Sequence, residues 1–319
     1  MHYIILDLEW NQSPIKQYEN KKIPFEIIEI GAVKLNENRE IIDKFSMLIR
    51  PQVYKKMHSI TEELIHISMK DLQSEKGFQK VVREFLAWCG EEYIFGIWGS
   101  QDLTELQRNM EYYAVEALTN GPLAYYDIQK LYSLYYEDGK TRRSLSHAVE
   151  MLRLQDDAMG FHRAYSDAFY TGKVFQQMCG TEILKKVSYD TYYLPANREE
   201  QIRVHFDTYS KFISRGFDDR VELMEDKDVT CVKCIYCNKA LRKKMHWFPA
   251  NTRHYYCVAH CSEHGYMRGK IRIRRAKDEK IYAVKTVRPM KEIEIADVKK
   301  RKIQATEARR KKRIKIKQG

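Results

Sequence analysis

Asp7 and Glu9 stand two residues apart inside the apolar run Tyr3-Ile4-Ile5-Leu6-Asp7-Leu8-Glu9-Trp10. Such a run reads as a buried central strand, and alternation along a strand sends both carboxylates to one face. Buried together they repel each other and lose water, so a countercharge is needed. A divalent cation such as Mg2+ supplies it, because hard cations take oxygen ligands. The plainer alternative is an edge strand with both acids in solvent. Two distant segments carry further candidates. Asp102 follows the apolar run 93–98 and opens Asp102-Leu103-Thr104-Glu105-Leu106, where an acid also serves as an ordinary helix-start residue. His162 and Asp167 lie in Gly160-Phe161-His162-Arg163-Ala164-Tyr165-Ser166-Asp167, at the opening of another helix.

The elements that must position these groups follow from the hydrophobic pattern. Strands are expected at 2–8, 26–35, 40–49, 92–98 and 123–126. Helices are expected at 61–67, 76–90, 101–117, 127–137, 144–153 and 162–179. Three strands in a row, then strands interleaved with helices, predict an α/β mixed sheet flanked by helices.

Taken in order, Asp7-x-Glu9, Asp102 after a strand, and His162-x-Ala164-x-x-Asp167 resemble the three motifs of the DEDDh 3′-5′ exonucleases. This is the DnaQ-like and RNase T-like branch of the RNase H-like superfamily. The resemblance covers about residues 1–182 and extends to Phe25-Glu26-Ile27-Ile28-Glu29-Ile30-Gly31-Ala32-Val33, His58-Ser59-Ile60-Thr61 and Ser144-Leu145-Ser146-His147. It implies an RNase H-like five-stranded sheet. It also implies that Asp7, Glu9, Asp102 and Asp167 hold two Mg2+ or Mn2+ ions and that His162 is the general base. Two ions about 4 Å apart can clamp the attacking and leaving oxygens of an in-line displacement. A His pKa near 6.5 suits the base at neutral pH. His162 and Asp167, five residues apart, would diverge by about 140° if both were helical, which places His162 outside the ligand sphere. The substrate implied is the 3′ end of single-stranded nucleic acid, with RNA slightly preferred over DNA, and the resemblance also implies a contact of Glu9 with the terminal ribose. Trp10 departs from the small residue or Thr of many relatives, so it is expected to shape the substrate pocket.

Charge is unevenly spread. Residues 265–319 hold 21 Lys+Arg against 6 Asp+Glu, a net of +15, while residues 1–264 hold 35 against 38, a net of −3. The basic run suits a phosphate backbone bound without sequence reading; an acidic protein partner is the alternative. No apolar stretch is long enough to span a membrane, and because the chain enters a strand at once no signal peptide is expected. The seven Cys are an odd number, five of them between 231 and 261, unlike a secreted disulfide framework. A cytoplasmic, reducing compartment is expected.

Those five cysteines form the second motif. Cys231-Val232-Lys233-Cys234-Ile235-Tyr236-Cys237 precedes Cys257-Val258-Ala259-His260-Cys261-Ser262-Glu263-His264. The pattern predicts a structural Zn2+ on Cys234, Cys237, Cys257 and Cys261. Cys231, His260 and His264 are possible substitutes. Gly269-Lys270-Ile271-Arg272-Ile273-Arg274 alternates as a strand with a basic face. Arg272 and Arg274 are therefore candidate substrate contacts, with nearby aromatics either stacking on bases or forming a small core. Trp247 and Tyr255 are expected in that core.

The expected organisation is an exonuclease domain at 1–182, a helical or loop connector at 183–229, with a helix over 198–215, a zinc-ribbon-like domain at 230–275, and a basic tail at 276–319 whose composition permits disorder. A non-catalytic nucleic-acid-binding protein on a nuclease scaffold is the rival reading. The complete Asp-Glu-Asp-His-Asp set speaks against it.

Overall fold

The structure, a computed structural model, describes residues 1–155 and 163–318. The chain divides into two compact units, Met1–Tyr192 and Tyr193–Gly319.

The first unit is built on β1 (His2–Gln12), β2 (Phe25–Leu35) and β3 (Ile41–Leu48), followed by α1 (Ser59–Ile65), α2 (Met69–Leu72) and α3 (Phe78–Cys89). Next come β4 (Tyr93–Ile97), α4 (Asp102–Tyr112), β5 (Leu123–Asp127), α5 (Ile128–Tyr136), α6 (Leu145–Met151), α7 (Ala164–Gln177) and β6 (Ser188–Asp190). The sheet order is β3-β2-β1-β4-β5-β6. β1 runs antiparallel to β2 and parallel to β4, as the mixed-sheet pattern predicts. A sixth, three-residue strand is added at the β5 edge.

Strand alternation sorts β1 into two cores. Ile4, Leu6 and Leu8 pack with Phe78, Val82 and Phe85 of α3 and Leu103 and Leu106 of α4. Tyr3 and Ile5 pack with Leu131 of α5 and Tyr170, Val174 and Phe175 of α7. Asp7 and Glu9 share the parity of Tyr3 and Ile5, so they emerge on the α7 side. Both faces of the strand are occupied, which is why its sequence is nearly continuous in apolar residues.

The second unit contains β7 (Ile202–His205), β8 (Ser210–Ile213), α8 (Arg220–Glu225), α9 (Lys227–Thr230), β9 (Arg242–Pro249), β10 (His254–Cys261), β11 (Gly265–Arg275), β12 (Ile281–Pro289) and α10 (Glu294–Gln318). Its sheet order is β7-β8-β12-β11-β10-β9, and each pairing is antiparallel. This sheet runs across positions 229 and 275, where the sequence pattern suggested boundaries. Residues 198–215 form two strands rather than a helix. Ile202 and Val204 alternate with polar neighbours, and β8 gains a partner in β12. Residues 276–319 contain β12 and α10 rather than an unstructured tail. Ile281 to Pro289 pairs along the length of β11, and α10 is rich in Lys, Arg, Glu, Ala and Gln, all strong helix formers.

One face of the second sheet is apolar. Phe212, Tyr255, Ile271, Ile273 and Ala283 pack with Phe217, Leu223 and Val229, and Trp247 and Tyr255 are part of that core as expected. On the other face, Val298 of α10 packs with Phe248, Tyr256 and Val258.

Candidate active site

Three elements bring four carboxylates together. β1 presents Asp7 and Glu9, α4 begins at Asp102, and Asp167 lies in the first turn of α7. Ligand oxygens of Asp7, Glu9 and Asp167 lie within 4.8 Å of one another. Asp102 is buried at the end of the segment leaving β4. Its charge acts on both Asp7 and Glu9.

The approach of α7 depends on Gly31. This residue pairs with Asp7 across the β1–β2 ladder. A β-carbon on it would come within 2.1 Å of the Ala164 carbonyl carbon and the Tyr165 nitrogen. Only glycine lets the start of α7 lie against β2 so closely, and that contact delivers Asp167 to the β1 acids.

The electrostatics are those of carboxylates crowded together and withdrawn from water. Burial, then Asp102, Asp167, Glu9 and Glu29, push Asp7 well above the usual carboxylate range. Burial, then Asp167 and Glu29, push Glu9 up to about 8, with Arg163 opposing. Burial raises Asp102 to about 7, although backbone hydrogen bonds from its own amide and from Leu8 pull the other way. Carboxylates held this close and this dry favour protons or divalent cations. An all-oxygen donor set suits Mg2+ or Mn2+.

Glu29 and Arg163 belong to the same neighbourhood. Glu29 faces Glu9 across the β1–β2 ladder, just before a bulge at Glu9/Trp10. Its buried carboxylate accepts hydrogen bonds from Arg163 Nε at 3.0 Å and Nη2 at 2.9 Å. The pattern was visible in the sequence: Glu26 and Glu29 interrupt an apolar strand as Asp7 and Glu9 do. Glu26 is used differently, accepting from the backbone amides of Gln52, Val53 and Tyr54 and from the Tyr113 hydroxyl. His162 lies outside the described residues. Trp10 is half-buried and packs against Phe25, with ring centroids 5.6 Å apart.

The cysteine motif assembles differently from its expected ligand set. Cys234, Cys237 and Cys261 gather with His264, their donor atoms within 4.8 Å of one another. Cys257 is outside this group. It lies on β10 four residues before Cys261, and strand geometry separates such positions by about 13 Å, too far for one tetrahedral ion. Its thiol instead packs in the core, where a β-carbon on Gly269 would lie 2.5 Å away, and burial raises it to about 12. His264 replaces it because the turn after β10 folds back toward Cys261.

The distances fit zinc. Cys237 Sγ is 3.8 Å from Cys261 Sγ, and Cys261 Sγ is 3.6 Å from His264 Nδ1. A tetrahedral site with ordinary Zn–S and Zn–N bonds has edges of about 3.8 and 3.6 Å. A hydrogen bond from His264 lowers the Cys261 thiol to about 6, which favours the thiolate a metal needs. Arg272 and Arg274 are exposed on β11.

A mixed sheet with acids converging from a central strand and two helices is the α/β arrangement that the sequence predicts. The sequence matches the exonuclease family over residues 4–175. The chain belongs to that family. It is 26% identical over 175 residues to the probable 3′-5′ exonuclease KapD of Bacillus subtilis (strain 168), covering 54% of this chain and 82% of the relative. It is 24% identical over 179 residues to the DNA polymerase III subunit epsilon of Aquifex aeolicus (strain VF5), covering 54% of this chain and 78% of the relative. Among solved structures, the nuclease domain of 3′hExo bound to rAMP matches with a TM-score of 0.47 and 20% identity, over 56% of this chain and 90% of that one. Among the described residues no helix is long and apolar enough to cross a membrane.

Proposed function

We propose that the first unit removes nucleoside monophosphates from the 3′ end of single-stranded nucleic acid, with RNA slightly preferred over DNA. The observation that supports this most strongly is the convergence of Asp7, Glu9 and Asp167 within one ion's reach, with Asp102 acting on them. The RNA preference rests on the family resemblance alone.

In this reading Asp7, Glu9, Asp102 and Asp167 hold two Mg2+ or Mn2+ ions. Bound there, the ions would activate water and stabilise charge on the phosphoryl and leaving oxygens. The chain's own groups do the rest. His162 takes the proton from the attacking water as the new phosphorus–oxygen bond forms. The bond to the 3′ oxygen of the penultimate nucleotide breaks in the same displacement, and that oxygen takes a proton from water to leave the strand with a 3′ hydroxyl. Arg163, paired with Glu29, anchors the chain directly after His162. A structural Zn2+ on Cys234, Cys237, Cys261 and His264 has four protein ligands and no open position for catalysis. The basic second unit holds substrate. A reducing cytoplasm suits the seven free cysteines.

The test uses 5′-labelled RNA and DNA oligonucleotides of equal sequence with Mg2+ or Mn2+. A ladder shrinking from the 3′ end, absent with Asp7→Ala and without divalent metal, supports the reading. Binding without shortening on either strand would replace it with that of a non-catalytic nucleic-acid-binding protein.

A further inference from the structure

The second unit holds 33 Lys+Arg against 16 Asp+Glu, a net of +17. Part of that charge surrounds a hollow of about 490 Å³ lined by Tyr209, Tyr236, Arg268, Lys270, Thr286 and Arg288, among others, with no acid in the lining. Its floor is the β11–β12 ladder, where Arg268 pairs with Arg288 and Lys270 with Thr286. The three cations therefore project from one patch of one sheet face. Arg288 is tied to Glu294 at 2.5 Å. Arg268 is not so tied: its Nε is buried and has no hydrogen-bond partner among the described residues. Burial, then the charge of Arg288, hold its guanidinium below its usual range. With no acid in the lining, Arg268 and Lys270 suit an oxyanion that has several acceptor oxygens.

Tyrosines supply the other half of the site. Tyr236 lies between Cys234 and Cys237, is 56% exposed, and has its ring 5.1 Å from that of His264. The Cys-His cluster thus fixes an aromatic face at the rim. Tyr209 stands in the β7–β8 turn on the same hollow. Aromatic faces beside cations can take a base and its phosphate together. The cationic row continues along β11 to Arg272 and Arg274, successive members about 6.8 Å apart. Arg272 and Arg274 also line a second hollow of about 520 Å³, with Arg220 and Arg253. A mononucleotide would occupy the first hollow and leave the row unused, whereas an extended strand engages both.

We propose that this hollow is a nucleic-acid site of the second unit, where an extended single strand places one phosphodiester on Arg268, Lys270 and Arg288 and stacks a base on Tyr236. It does not depend on hydrolysis by the acidic cluster.

The test is fluorescence anisotropy of a labelled single-stranded oligonucleotide on the full chain carrying Asp7→Ala, over a range of salt. Arg268→Gln/Lys270→Gln is expected to weaken binding about tenfold or more and to lower the salt slope by up to about one, the share of a single phosphodiester. Tyr236→Ala, at an exposed position, is expected to weaken binding about tenfold with the slope unchanged. In the otherwise native chain, neither change should alter hydrolysis of a small aryl ester of a nucleotide, which reads the acidic cluster separately. Unchanged affinity in both variants overturns the site. So does loss in the double variant alone with heparin competing as well as the oligonucleotide, since that marks a general polyanion surface.

Discussion

Gly31 lies directly across the β1–β2 ladder from Asp7, at the point where the backbone of Ala164 and Tyr165 passes over β2. The position of Asp167 relative to Asp7 is therefore set by the absence of a side chain on a neighbouring strand. Gly31→Ala must push two backbones apart, because the clash is with main-chain atoms. Overpacking costs about 1–3 kcal/mol, occasionally more, and this contact belongs at the upper end. We expect a lower melting temperature and loss of most metal-dependent hydrolysis. A variant with native melting and native rate would show that α7 need not pack so closely.

Glu9 gives a pH prediction for protein without Mg2+ or Mn2+. Its carboxyl moves from an ordinary 4.5 to about 8 on folding. Between those values the folded chain holds a proton that the unfolded chain releases. The contribution to stability is thus fully present below about pH 4.5 and is lost as pH rises toward 8. Glu9→Gln removes this titration. The melting temperature of the native chain relative to Glu9→Gln should fall from pH 5 to pH 8, and Mg2+ should reverse the fall. A difference that rises with pH would refute the assigned direction.

Arg163 is the partner of a buried carboxylate beside Glu9. Its side chain is 45% exposed and that of Glu29 only 1%, so solvent weakens the pair and the stability at stake is about 1–2 kcal/mol. Arg163→Met should nonetheless lower kcat about tenfold with little change in KM. Adding Glu29→Gln should recover stability, since no buried charge remains, but not kcat. Equal loss of kcat and stability, both recovered in the double variant, would reduce the pair to a structural role.

The metal content of the second unit separates the two possible ligand sets. Cys237→Ser, Cys261→Ser and His264→Ala should each abolish one equivalent of bound zinc. Cys257→Ala should keep the zinc and lower stability by about 1–3 kcal/mol through loss of a buried group. Native mass spectrometry reads both states. Zinc lost with Cys257→Ala and kept with His264→Ala would restore the ligand set expected from spacing.

The sequence by itself determined which acids the first unit brings together. Asp7 and Glu9 share a face because strands alternate, and the strand is buried because its residues are apolar on both faces. Asp102 and Asp167 were legible as the remaining acids of an ordered pattern. Glu29 carried the same signal, an acid within an apolar strand, but its partner Arg163 is 134 residues away and leaves no local trace. The second unit was less legible. Cysteine spacing shows that thiols can share a metal but not whether the chain between them turns or extends. β10 extends, so Cys257 leaves the cluster and His264 enters it. β7, β8 and β12 are short or charged segments whose strand character depends on pairing with one another and with β11. Tertiary structure also decided where charge gathers. Alternation predicts a basic face on β11, but only the pairing of β11 with β12, beside the turns bearing Tyr209 and Tyr236, makes that face a site.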